Sequence, residues 1–430
     1  MIVRNILKND FRKNLAIVIS GAALSQMISI GISPVLTRLF SAEAFGLLGL
    51  FASISSVLIP FATGRYDLAI MLPQKDDDAD SLLTLVGIIT VSMGLIAFVL
   101  LLFSRHHIAV HLFGVPSLSP FLLLLPLAVL ALGLGRALEQ WVGRRQLFKL
   151  SSMANVIGAI CSNLGMLLGG LGGWGAIALI LGNVINPVVK ILVMAIGLGK
   201  ELPQTITAGL NTCVLKKNAY KFKDFPSYRV PQDSLNALGQ HLPAVILAFF
   251  FSPTQVGFFW LAHRVLRMPG LLIAEALRKV FYQDISSCAN AGKKIFPLVL
   301  KVTLGLFFCG LFPVGVISSW GPKLFSFAFG QQWVIAGEYA RWIVLWSFCG
   351  FINVPTVVVV PILRRQKLLL FFEFFSVTLR CGSMVAIALW TRNALYTVAV
   401  FSMVAVLINV LLIVVIFSSC QRFDSVNATF

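Results

Sequence analysis

The chain has 430 residues, of which 58% are hydrophobic and only 12% charged, with a formal net charge of +18. Soluble domains carry roughly twice that charged fraction, so a mean hydropathy of +0.92 excludes an ordinary soluble enzyme or binding module and indicates a polytopic membrane protein. The cation excess would suggest nucleic acid in a soluble chain; here the cations crowd the loops, which assigns them to a membrane surface instead.

The N-terminal stretch MIVRNILKNDFRKN is basic, and the apolar run behind it is too long for a signal-peptide core and lacks a small-residue cleavage site. It reads as a retained first helix. Apolar runs of about 20 residues predict twelve spans, at 15–36, 44–64, 81–103, 118–138, 151–171, 174–198, 231–251, 255–279, 296–319, 333–362, 367–389 and 395–418. The tenth is long, and a tilt or a break is expected near Pro355. Of the loops, QKDDDAD (74–80) reads as a solvated connector, and 200–230, the largest, as a basic linker.

Lysine and arginine alternate sharply between the two sides. One side collects the N-terminal cations, Arg65, Lys75, Arg144, Arg145 and Lys149, those of 200–230, and Arg278, Lys279, Lys293, Lys294, Arg364, Arg365, Lys367 and Arg422. The other holds only Arg38, Arg105, Lys323 and Arg392. By the positive-inside rule both termini are expected in the cytoplasm. The outer loops, 104–117 and 320–332 at their longest, leave no room for a folded catalytic domain, so no enzyme activity is expected.

The chain also repeats itself. FSAEAFGLLGL (40–50) matches FSPTQVGFFWL (251–261), HLFGV (111–115) matches FAFGQ (327–331), and GRRQLF (143–148) matches LRRQKL (363–368). The offsets, 211 at Gly46/Gly257, 216 at Gly114/Gly330 and 220 at Arg145/Arg365, rise gently, as small insertions would make them. Each half has six spans, an even number, so both enter from one side and the repeat is parallel. The expected architecture is an N-terminal lobe (1–199), a cytoplasmic linker (200–230) and a C-terminal lobe (231–430), with alternating access between the lobes.

Some cations fall inside spans: Arg136, Lys190, Arg264, Arg267, Lys301, Arg341 and Arg380. An arginine at mid-bilayer costs about 2.5–3.5 kcal/mol on insertion scales. Arg136 and Lys301 lie near expected cytoplasmic helix ends, where they can snorkel. Arg264 and Arg267 are deeper and about 60° apart on a helix of about 100° per residue, with Glu275 on the same face. The structural alternative is an internal ion pair with Glu275, Glu338 or Glu373; the functional one is a cationic wall for an anion. Arginine's planar fork suits phosphate, so Arg264 and Arg267, then Arg341, Arg380 and Lys190, are the expected anion-binding residues. Through the repeat, Arg264 and Arg267 correspond to uncharged Ser53 and Ser56, so the charge is lopsided.

Several motifs are set aside. The glycines of GGLGGWGA (169–176) lack the strand a nucleotide loop needs. His106, His107 and His111 share one outer loop without carboxylate or cysteine partners, and no cysteine pair has metal spacing. No metal or cofactor is expected, and no Walker sequence provides for ATP.

SPVLTRLFSAEAFGLLGLFASISSVL followed by GRYDLAIMLP (64–73) resembles the N-terminal signature of bacterial polysaccharide exporters, and LFGVPSLSP, GRRQLFKLSS and FAFGQQWVIAGEYARW fit the same pattern. These are the O-antigen-type flippases of the multidrug/oligosaccharidyl-lipid/polysaccharide exporter superfamily. The resemblance implies a V-shaped bundle of two six-helix lobes in the bacterial inner membrane. It implies a substrate too, an undecaprenyl-diphosphate-linked oligosaccharide moved from the cytoplasmic to the periplasmic leaflet for O-antigen, lipopolysaccharide or related glycan assembly. The diphosphate would supply the missing anion. Proton or sodium coupling would fall to Glu275, Glu338 or Glu373. Arg65 and Asp67, which match the RYD of the family pattern, would form a gate or an interfacial ion pair. Membrane lipids and other polysaccharide-assembly proteins are the expected partners, not nucleic acid. A small-molecule exporter of the same fold and a membrane glycan polymerase or ligase are the rival readings.

Overall fold

The structure is a computed structural model that describes the backbone of residues 2–363 and 365–427, with side chains described outside 1–19, 269, 271–272, 274–276, 278–280, 290, 364 and 426–430. Every regular element among the described residues is helical. In chain order they are α1 (Ile2–Leu39), α2 (Ala42–Thr63), α3 (Tyr66–Ala69), α4 (Asp76–His107), α5 (Ser119–Leu122), α6 (Leu125–Arg144), α7 (Phe148–Leu171), α8 (Ala176–Leu198), α9 (Glu201–Gly209), α10 (Thr212–Lys221), α11 (Val230–Phe250), α12 (Pro253–Asn290), α13 (Phe296–Phe329), α14 (Val334–Ile352), α15 (Val354–Val359), α16 (Gln366–Thr391) and α17 (Ala394–Asn427). Among the described residues nine helices are long and apolar enough to cross a membrane. Helices α1, α11 and α12 occupy the positions expected for the first, seventh and eighth spans. The protein is an all-α, multi-pass membrane protein.

Contacts divide the chain into two compact units, Met1–His241 and Leu242–Phe430. Within the first, α4 packs on α6, α2 on α6, α7 on α8 and α6 on α8. Within the second, α13 packs on α14, α12 on α14, α16 on α17 and α14 on α17. These are the same four pairings in repeat-equivalent helices. The sequence landmarks prove to be stop and start signals. Ser41 caps α2 by accepting from the Ala44 amide, and Ser252 caps α12 by accepting from the Gln255 amide. Gly114 (φ +65°), beyond α4 and its π-turn, and Gly330 (φ +108°), at the end of α13, both adopt positive φ, a conformation that only glycine takes freely.

Polar and small residues set the helix contacts. Ser25, Ser29 and Ser33 return their hydroxyls to carbonyls of α1, and Asn163 of α7 donates to Ser29 (3.3 Å). Ser162 of α7 donates to the Gly182 carbonyl of α8 (2.7 Å). With no hydrophobic drive between helices in lipid, such close approaches supply the packing energy.

Three expectations change and one, the break in the tenth span, holds. The fourth span starts later than expected, at Leu125, and runs to Arg144. The expected outer loops are largely helical: α4 continues through a π-turn at Ile108–Leu112, and α13 runs to Phe329. The break expected near Pro355 in the tenth span is present: it falls at Asn353, whose side chain donates to Asn409 (3.0 Å) while Thr356 donates to its carbonyl (2.7 Å). The acidic stretch is not a free connector. Asp76, Asp77 and Asp78 form the first turn of α4, where the helix dipole favours them. Asp76 pairs with Arg144 (3.0 Å) and Arg145 (3.3 Å), and buried Asp80 accepts from the Trp141 indole (2.8 Å).

The segment expected as a linker is folded onto the first unit. Helices α9 and α10 pack on α4. Asn218 donates to Asp78 (3.1 Å) and Ser81 (2.9 Å), and the Tyr66 hydroxyl donates to the Ala219 carbonyl (3.0 Å). Burial pushes the Tyr66 phenol above its ordinary range, which keeps it a donor.

Candidate functional site

In the second unit α12 carries Arg264 and Arg267, both half-buried. The Arg264 guanidinium lies over the Trp260 ring, 5.0 Å from its centre. Among the described residues neither arginine has a carboxylate within 4.0 Å. Glu275 is on the same helix, but its side chain lies outside the described residues.

Arg341 and Arg380 differ from this pair. Arg341 is exposed on α14, pairs with Glu338 one turn earlier (3.3 Å) and donates to the Ser318 carbonyl (2.7 Å). Arg380 is buried at 8% exposure, its guanidinium 4.7 Å from the Trp346 ring and 4.6 Å from Phe401. It belongs to an aromatic column in which the His263 ring stacks between Phe259 (5.8 Å) and Trp346 (5.1 Å). A buried guanidinium packed against two rings that themselves meet edge to face (5.1 Å) is stabilised where it is and is not presented to a ligand. Glu373 is half-buried on α16.

The first unit contains charge that the sequence reading set aside. Because α6 runs on to Arg144, Arg136 is interior to its helix rather than at an end, and its side chain is exposed there. It feels the charges of Arg65, Asp67, Glu139 and Asp233, and Lys190 of α8 feels Glu139 and Arg136. Glu139 accepts from Asn155 (3.3 Å) and Ser151 (3.5 Å) of α7. Arg136 and Glu139 are thus members of a polar cluster that sequence reasoning missed. The i, i+3 spacing of Arg136 and Glu139 on one helix face was the available signal.

At the end of α2, Gly64 (φ +56°) and Arg65 (φ +57°) are both left-handed. The reversal puts Arg65 on Asp233 of α11 (2.8 Å), with Asp67 at 3.8 Å, and Arg229 also reaches Asp233 (3.4 Å). Asp67 is 2% exposed and one of its carboxylate oxygens has no hydrogen-bond partner. Arg65 and Asp67 therefore sit in an ion-pair cluster that ties α2 to the start of α11.

A family model described as polysaccharide biosynthesis protein matches residues 35–338. No curated protein matches the sequence. The structure is similar to that of the lipid II flippase MurJ in an inward closed conformation, with a TM-score of 0.68 over 95% of this chain and 90% of that one at 13% identity. It is similar to an inward-facing multidrug resistance MATE family transporter of the MOP superfamily (TM-score 0.61, 97% and 98% covered, 14% identity). It is also similar to an outward-facing one (0.57, 96% and 95%, 13%). With a fold shared with MurJ and the MATE proteins, and with the family model matching well over half of the chain, from 35 in the first unit to 338 in the second, this chain belongs to the polysaccharide biosynthesis protein family.

Proposed function

We propose that the protein is a flippase that carries undecaprenyl-diphosphate-linked oligosaccharide units from the cytoplasmic to the periplasmic leaflet of a bacterial inner membrane. It makes and breaks no bond, and both termini are cytoplasmic. The observation that carries this reading is the pair Arg264 and Arg267, embedded in a membrane protein with no carboxylate partner among the described residues. Two such charges are costly unless an anion completes them, and two guanidinium forks match the oxygens of a diphosphate. The polysaccharide family supports a glycan cargo, and the lipid chain can stay in the bilayer throughout.

In this mechanism an inward-open state captures the diphosphate on Arg264 and Arg267. Lys190 and Arg136 offer further positive charge, restrained by Glu139. Arg341 joins only when its pair with Glu338 opens, which makes Glu338 the leading position for proton or sodium coupling, ahead of Glu373 and Glu275. Arg380 serves by holding the aromatic column behind α12. Closure on the cytoplasmic side then releases the head group outside.

The test is the double variant Arg264→Glu/Arg267→Glu. Surface glycan should fall at least about tenfold, with lipid-linked saccharide accumulating by mass spectrometry, while Arg264→Lys/Arg267→Lys keeps part of the activity. Unchanged glycan display overturns the reading. The rival, export of small cationic molecules on the same fold, predicts instead that charge reversal leaves efflux intact or improves it.

A further inference from the structure

The fold builds the same depression twice. In the first unit it lies between the start of α2 and the α7–α8 turn, about 290 Å³, lined by Phe40, Ser41, Glu43 and the glycines of that turn. In the second it lies between the start of α12 and the α16–α17 turn, about 530 Å³, lined by Phe251, Ser252, Gln255, Glu338, Tyr339, Arg392 and Asn393 among others. Phe40 and Ser41 correspond to Phe251 and Ser252 through the repeat offset of 211. The cup itself is therefore a by-product of the architecture. What decorates it is not.

Only the second cup combines an acid, a guanidinium, a carboxamide and aromatic rings. Glu338 gives one carboxylate oxygen to Arg341 and keeps the other. The Tyr339 hydroxyl donates to the Gln255 side-chain oxygen (2.5 Å), which leaves the Gln255 amide hydrogens to donate elsewhere. Arg392 is exposed, has no ion pair among the described residues and sits at φ +49°. A side chain kept at a left-handed position, where glycine or asparagine would cost less, points to use of that side chain. Asn393 fixes the turn by accepting from the Leu395 amide (2.9 Å).

An arginine alone would suit an anion, but Glu338 in the same wall repels one. A carboxylate, a guanidinium and an amide in one cup match neighbouring hydroxyls, which donate to the acid and accept from the base. Tyr339 and Phe251 supply an apolar floor, and the volume falls within the range of small-ligand clefts, about 300–1,000 Å³. We propose that the cup at the α12 start and the α16–α17 turn is a saccharide subsite that takes a pyranose ring of the glycan. It rests on the glycan reading for the class of ligand only, and it is distinct from the arginine pair on α12.

The full chain in nanodiscs is to be titrated with methyl glycosides of glucose, galactose, mannose, rhamnose, N-acetylglucosamine and glucuronic acid, read by saturation-transfer NMR. At least one should give a signal that falls fivefold or more in Arg392→Gly and in Glu338→Gln. Glycine is at ease at φ +49°, so Arg392→Gly should keep its melting temperature, which separates lost binding from lost fold. The Arg264→Glu/Arg267→Glu variant should stop transport and keep the signal, so the two readings fail separately. Silence across all six glycosides, or a signal unchanged in Arg392→Gly, overturns the subsite.

Discussion

Asp233 holds two arginines at once, Arg65 at 2.8 Å and Arg229 at 3.4 Å, with Asp233 itself one-fifth exposed. Surface ion pairs contribute little, but this one is partly shielded and anchors a left-handed turn. Asp233→Asn should cost about 1 kcal/mol and raise amide exchange at 64–70 and 230–236 selectively; exchange that stays unchanged would reduce the cluster to a surface ornament. Arg65 and Asp67 were legible as a pair from GRYD alone, because both stand just beyond a span. Asp233 was not, because its partner is distant in sequence and the reversal at Gly64 and Arg65 depends on backbone angles that no residue pattern encodes. Arg136 was placed near a helix end for a related reason: an apolar run marks where lipid could be, not where helical hydrogen bonding stops, and α6 continues to Arg144.

Among elements, α13 and α14 approach closely through glycine, backbone against backbone. A Cβ added at Gly337 would fall 2.6 Å from the Gly321 carbonyl oxygen and 2.7 Å from the Pro322 nitrogen. Backbone cannot swing aside as a side chain can, so Gly337→Ala should destabilise the second unit by about 1–3 kcal/mol, read as a lower melting temperature in detergent. Gly350→Ala, with open space at its Cβ, is the control and should change little. Span positions were readable because hydrophobic runs persist for twenty residues. Helix ends were less so: the loop at 104–117 contains no breaker until Gly114 and continues as a π-turn, while α13 runs straight through Gly321 and Pro322, the residues that suggested a loop at 320–332, and ends only at Gly330.

For the whole molecule, the matching helix pairings of the two units support the sequence repeat far more firmly than three short matches could. The segment 200–230 was read as a linker because it is basic and lacks an apolar run. Its anchoring groups, Asn218 and the Ala219 carbonyl, are uncharged and escape any charge-based reading. The proposed orientation has a direct check in Cys213, which is exposed on α10. With the other cysteines removed, Cys213 should resist a membrane-impermeant maleimide in intact cells and react after permeabilisation. A cysteine placed by Lys323→Cys should react in both. The reverse pattern would invert the topology.

The helical character of 104–112 and 320–329 has a practical corollary. At that end of each unit the polypeptide presents rigid relief, capped helices and a π-turn, where floppy connections would be expected. Antibody fragments selected against folded protein would meet fixed conformational epitopes there, and linear peptides copied from the same residues would make poor immunogens because they lose that shape when excised.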